Sequence, residues 1–246
     1  MESKKKIGFA VAGTLLVLAA ACLIYLTTGT YSANEDAVTA MSSAENYTVT
    51  EYDDGTLAFV PPNPTVGLIF YPGGKVESQA YASLMTAFAR EGILCVLLSV
   101  PFDLAVFDTQ GADGIQEQYP EISQWYLAGH SLGGAMAASY AAEHTEDYDG
   151  LFLLAAYSTE DLRDSGLQVV SLYGSEDLVL NMEKYQAYRS NLPEDTLEQV
   201  LEGGCHAYFG SYGPQEGDGT PTITNEKQIQ LTVEHCLSVI NGAEQE

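Results

Sequence analysis

Trp125-Tyr126-Leu127-Ala128-Gly129-His130-Ser131-Leu132-Gly133-Gly134 joins a short apolar run to a G-x-S-x-G turn, and an alanine-rich stretch from Met136 to His144 follows it. The run reads as a buried strand and the stretch as a helix, because its residues are strong helix formers. A serine on so tight a strand-to-helix turn presents its hydroxyl at the top of a sheet, beside the positive end of a helix. The flanking glycines are required because a side chain there would meet the neighbouring strand and helix. Ser131 is therefore the candidate nucleophile, and the flanking strand and helix give the short motif its weight.

Outward from the turn, apolar strand-like runs occur at Val66–Tyr71, Ile93–Val100, Gln124–Ala128, Leu151–Ala156, Gln168–Tyr173 and Thr196–Leu201. Helical patterns fall between them at Ser78–Arg90, Leu132–His144 and Val179–Asn191, and Glu226–Ile240 closes the chain. Tyr47 to Val60, with Asp53-Asp54-Gly55 at its middle, reads as an antiparallel hairpin. Continuous apolar strands alternating with amphipathic helices predict an α/β fold: a mainly parallel sheet with helices on both faces. Right-handed crossovers then gather the strand C-terminal ends, and the site with them, on one edge.

A serine hydroxyl needs a base to take its proton and a third group to hold that base. The chain has four histidines. His130 lies inside the turn and is expected to point away from the pocket, His144 lies at the far end of the following helix, and His235 is mid-pattern in the last helix. His206 directly follows the last strand run, in Gly203-Gly204-Cys205-His206, and is the candidate base. The carboxylate is expected after an earlier strand, where Tyr173-Gly174-Ser175-Glu176-Asp177 follows Gln168–Tyr173. Asp177 is the better placed, Glu176 is the alternative, and a purely structural Asp177 would cap the segment from Val179. Donors for a developing oxyanion are expected from the amide of Leu132 and from Tyr71-Pro72-Gly73-Gly74-Lys75, through Gly74 or Lys75.

These stretches, with the loop His206 through Gly219, resemble the α/β-hydrolase superfamily, and more narrowly a fold-5 type branch of small membrane-anchored bacterial hydrolases. The likeness covers about residues 45 to 240. It implies a serine hydrolase with the triad Ser131, Asp177 and His206, acting most often on carboxylic esters, with amides, thioesters and acyl transfer as alternatives. It implies no metal or organic cofactor and a small-molecule substrate. Relatives in the branch often carry Asn where this chain has Cys205 and Asp103. A non-catalytic surface module that keeps the fold is the competing class, since a fold alone does not fix function.

The 246 residues carry a formal charge of −25, and Lys4, Lys5 and Lys6 supply three of the nine basic groups. Beyond residue 26 there are 6 basic and 33 acidic groups, a net of −27. Such a surface repels nucleic acid and anionic headgroups. Ile7 to Leu26 is an uncharged run of twenty residues behind the three lysines, long enough to span a bilayer with the lysines in the cytoplasm and the remainder outside. The expected organisation is an anchor with a short basic tail over 1–28, a linker over 29–45 and a catalytic domain over 46–246. Cleavage near Thr30-Tyr31-Ser32 and a lipoprotein signal at Cys22 are the alternatives. Of the four cysteines, Cys95 reads as a small core hydrophobe, and Cys205 and Cys236 could pair in an oxidising compartment. No Cys/His spacing resembles a zinc site. Only Tyr157 to Gly166 separates the strands where a cap commonly inserts, so no cap domain and a preference for short acyl groups are expected. Oligomeric state is left open.

Overall fold

A computed structural model describes residues 26–42 and 44–243, together with residues 14, 17, 20, 21, 23 and 24. The chain divides into a first unit ending at Thr30 and a second beginning at Tyr31. Most of the Ile7–Leu26 run lies outside the described residues. Its described positions are helical, and Val17, Leu23 and Ile24 are exposed. Among the described residues, no helix is long and apolar enough to cross a membrane.

The second unit is built on one eight-stranded sheet: β1 (Thr48–Glu51), β2 (Leu57–Val60), β3 (Val66–Tyr71), β4 (Ile93–Leu97), β5 (Gln124–His130), β6 (Gly150–Leu154), β7 (Gln168–Gly174) and β8 (Leu197–Leu201). Its spatial order is β1-β2-β4-β3-β5-β6-β7-β8. The β1–β2 hairpin and the β2–β4 pair are antiparallel, and every other pair is parallel. β3 lies between β4 and β5, so the chain leaves β3 to one side and later returns on the other. Open α/β sheets place their crevice at such a reversal, here beyond the C-terminal ends of β3 and β5, where Tyr71 is in register with Gly129.

The helices are α1 (Glu35–Ala40), α2 (Ala82–Arg90), α3 (Leu132–Glu143), α4 (Met182–Tyr188) and α5 (Asn225–Ala243). Side chains alternate across the pleat and divide the interior into two layers. Val66, Leu68 and Phe70 of β3 pack in one layer with Met85 and Phe88 of α2 and Val233 and Cys236 of α5. Ile69 and Tyr71 pack in the other, with Ala137, Ala138 and Tyr140 of α3. This is the expected fold. β4 ends at Leu97, before Pro101, and β5 runs two residues further than expected, to His130. Between β4 and β5 the chain carries no α-helix, only three short 3-10 turns that cover the α3 side through Ala105, Ala112 and Ile115. The β6–β7 connection likewise holds no inserted domain.

The stretch expected as a linker differs from that expectation from Tyr31 onward. Tyr31 N–H donates to the Lys75 carbonyl at 2.8 Å, and Glu77 N–H donates to the Tyr31 carbonyl at 3.0 Å. The Glu77 carboxylate accepts from Ser32 Oγ and the Ala33 amide, and Asn34 caps α1 through the Ala37 amide. The polar, small-residue composition that suggests a free stalk instead supplies a capped helix and an edge for residues 75–77. The partner carboxylate is more than forty positions away.

Close packing at the β5–α3 turn has a measurable consequence. A Cβ on Gly133 would overlap the carbonyl oxygens of Tyr71 and Pro72, neither of which can swing aside. Gly133→Ala should therefore cost about 3 kcal/mol or more of stability, which is a fall of about 6 °C or more in Tm for a chain of this size. Thermal melting checks this; a Tm within about 2 °C of the wild type would mean the turn has slack.

Candidate active site

β5 delivers its last residue into a turn so tight that Ser131 adopts φ 53° and ψ −121°, directly before α3. A non-glycine residue in this region costs on the order of 1–3 kcal/mol and persists only where the surroundings impose it. They do so here. Ser131 N–H donates to the Leu154 carbonyl at 2.9 Å, and a Cβ on Gly129 would lie 2.5 Å from the Gly133 carbonyl carbon. The serine side chain, half-buried, stands over the crevice at the N-terminus of a twelve-residue helix.

Asp177 and His206 meet where the loops after β7 and β8 come together. His206 Nδ1 lies 2.9 Å from Asp177 Oδ2, with the side chains 2% and 0% exposed. A neutral imidazole held this way carries its proton on Nδ1 and leaves Nε2 as an acceptor. The other oxygen of Asp177 accepts the amides of Val179 at 2.9 Å and Leu180 at 2.8 Å. Capping and histidine-holding thus coexist in one carboxylate, one oxygen for each. Glu176 is half-buried and accepts from Ser175 Oγ at 3.2 Å; among the described residues no hydrogen bond joins its side chain to His206. Among the described residues no hydrogen bond joins the Ser131 hydroxyl to His206; such contacts commonly tighten only when substrate binds.

The loops bearing Asp177 and His206 are tied together by groups that sequence reasoning missed. Glu176 N–H donates to the Gly204 carbonyl at 2.8 Å. Asp218 accepts the amides of His206 at 3.2 Å, Ala207 at 2.9 Å and Leu178 at 3.4 Å, so one carboxylate holds both loops. Buried Gln228 of α5 grips the main chain of Cys205 twice, accepting its N–H at 3.0 Å and donating to its carbonyl at 2.8 Å. Gly217-Asp218-Gly219 carries a visible signal, an acid between two glycines in a loop already singled out. Gln228 carries none.

The two expected oxyanion donors on the β3 loop are not equivalent. Lys75 N–H is committed to the Asp103 carbonyl at 2.7 Å, which removes it from a hole. Among the described residues the Gly74 amide makes no such bond, and Leu132 opens α3, whose first amides lack intrahelical partners. A Cβ on Gly74 would stand 3.0 Å from Leu132 Cδ2, so these two residues face one another. Lys75, Phe102 and Asp103 all have positive φ, at 60°, 59° and 54°, which places strained backbone along this side of the crevice.

His130 is buried, and its ring packs 4.5 Å from that of His206, a contact without a signal in the sequence. Cys205 and Cys236 are buried and unbridged. Burial, then the neighbouring Asp218, pushes the Cys205 thiol up to about 12, which keeps it protonated next to His206.

A family model described as the alpha/beta hydrolase family matches residues 67–230. No curated protein matches the chain. Among solved structures, carboxylesterase CesB of Bacillus subtilis is similar with a TM-score of 0.59 at 11% identity, covering 85% of this chain and 95% of that one. Carboxyl esterase 2 of the mycorrhizal fungus Tuber melanosporum gives 0.59 at 10% identity over 90% and 97% of the two chains. Naproxen esterase of Bacillus subtilis gives 0.53 at 11% identity over 70% and 88%.

His130 makes the stability of this site pH-dependent. Burial foremost, then the nearby His206, holds its imidazole well below the usual 6.5. The unfolded chain therefore binds a proton that the folded chain refuses, and stability falls as pH drops below about 6.5. Melting at about pH 7.5 and about pH 5.5 should show a larger acid loss of Tm in the wild type than in His130→Asn, which cannot titrate. Equal losses in the two proteins would show that His130 accepts its proton without unfolding.

Proposed function

The chain belongs to the alpha/beta hydrolase family, and on that footing we propose that it is a membrane-anchored serine hydrolase that cleaves short-acyl carboxylic esters through Ser131, His206 and Asp177. The observation that carries this reading is the buried 2.9 Å contact between His206 and Asp177 at the sheet edge where Ser131 is held in a strained turn. In the proposed reaction, His206 Nε2 takes the Ser131 proton as Oγ attacks the ester carbonyl. Asp177 holds the imidazole and stabilises the imidazolium that forms. The Leu132 and Gly74 amides receive the oxyanion in a place where donors need not reorganise. The imidazolium returns its proton to the leaving alcohol, and water then releases the acyl group by the same steps in reverse order of roles. Names of similar solved structures, carboxylesterases among them, favour ester over amide cleavage.

The preference for short acyl groups follows from what surrounds the crevice. Among the described residues no inserted domain forms a cap. Phe102, Val106 and Phe107 beyond β4 and Leu178 after the acid are 47–73% exposed, so a chain laid on them stays partly wet. Each methylene then gains well under the about 0.8 kcal/mol of full burial.

Nitrophenyl acetate and butyrate should be hydrolysed, with no steady climb in kcat/KM towards long chains. Ser131→Ala and His206→Ala should each lower the rate by about a thousandfold or more, and the double variant little further. Additive losses, or an unaffected Ser131→Ala, would contradict a triad.

The uncharged Ile7–Leu26 run behind Lys4, Lys5 and Lys6 supports a single span with the catalytic body outside the cytoplasm, and so do the exposed apolar side chains at Val17, Leu23 and Ile24. Protease added to intact protoplasts should remove that body. Protection until lysis would exclude this topology.

A further inference from the structure

One amide of the β3 loop is turned away from the crevice. Gly73 N–H donates to Tyr81 Oη at 3.0 Å, and the same oxygen lies 2.8 Å from His130 Nδ1. Tyr81 and His130 are both fully buried. Burial pushes the Tyr81 phenol up, so it keeps its proton. A phenol has one proton to give, and the Gly73 amide already donates to its oxygen. The arrangement that leaves fewest groups unpaired has Tyr81 donating to His130 Nδ1 and His130 carrying its own proton on Nε2.

That Nε2 is a buried polar atom with no hydrogen-bond partner among the described residues. Such an orphan calls for a reason. The His206 ring stands 4.5 Å from the His130 ring, at 51°. The row that begins at the oxyanion loop therefore ends against the base. Phe209 closes the far side of the His130 ring at 5.6 Å. Only glycine permits the start of the row, because a Cβ at position 73 would lie 2.5 Å from Tyr81 Oη and 2.8 Å from His130 Nδ1.

We propose that Tyr81 and His130 are positioning residues that lock the oxyanion loop and the base to one another. Tyr81 turns the Gly73 amide inward, which leaves the Gly74 amide to face the crevice beside Leu132. His130, passing directly into Ser131, sets the distance between that loop and the His206 turn. Neither residue touches substrate. The assignment rests on the serine-hydrolase reading, and it differs from core filling in one respect: the hydroxyl matters, not the ring.

Tyr81→Phe in the full chain separates the two. It keeps the ring contacts with Phe70 at 4.9 Å and Tyr212 at 6.5 Å and removes a single oxygen. With nitrophenyl acetate, kcat should fall about tenfold or more while KM changes less than about twofold. His130→Asn places an amide oxygen where Nδ1 stood and should retain more of kcat than His130→Leu. Unchanged kcat in Tyr81→Phe, or equal losses in the Asn and Leu variants, would overturn the proposal while leaving the serine reading intact. If Ser131→Ala is as active as the wild type, the serine reading itself falls. A long-range proton–nitrogen spectrum of the histidines decides the tie independently of turnover. His130 should appear as the Nε2–H tautomer in the wild type and lose that preference in Tyr81→Phe; an Nδ1–H tautomer in the wild type overturns the proposal.

Discussion

The approach of the α3 N-terminus to the ends of β3 and β5 is the constraint around which the rest of the site is arranged. Backbone meets backbone there: a Cβ at Gly133 would run into the carbonyls of Tyr71 and Pro72, and one at Gly129 into the main chain of Gly133. With no side chains to hold the elements apart, the turn closes tightly enough to force Ser131 to a φ of 53°. The same closeness brings the Leu132 side chain against Gly74. The strain at Ser131 persists because the surrounding sheet over-determines it, through the Leu154 carbonyl on one side and the β3 loop on the other.

His206 and Asp177 are held by a second set of ties, made of hydrogen bonds. Asp177 divides its oxygens between His206 and two amides of its own loop. Asp218 spans both loops, and Gln228 fixes the residue before the base. A carboxylate with several amide donors and a buried amide with both ends paired are low-entropy positions. The N-terminal arm adds a third support, since Tyr31 pairs with the main chain at residues 75–77 and its ring packs 5.6 Å from Tyr212. Contacts that look peripheral along the chain therefore converge on the crevice.

How much of this could be read in the sequence depends on whether the signal is local. The strand, glycine turn and alanine-rich helix around Ser131 are contiguous, so the fold and the candidate nucleophile were legible. His206 was reached by elimination among four histidines, and Asp177 by its place after a strand. Lys75 could not be separated from Gly74, because the bond that occupies its amide comes from Asp103, beyond the next strand. The stretch 29–45 has a stalk's composition, and its docking on Glu77 depends on a partner far along the chain. Gln228 is an ordinary polar residue in a helix until the His206 turn folds against it. The contact of His130 with His206 has no local signal, because the motif says where the serine points and nothing about what packs behind it.

A nucleophile at Ser131 is the claim to which every other assignment is attached, and covalent labelling tests it without knowledge of the substrate. The full chain, treated with a fluorophosphonate and examined by intact mass and peptide mapping, should carry one adduct, on the peptide containing Ser131. The adduct should be absent from Ser131→Ala and should form far more slowly in His206→Ala. No adduct on the folded wild type, or one that persists in Ser131→Ala, would contradict it.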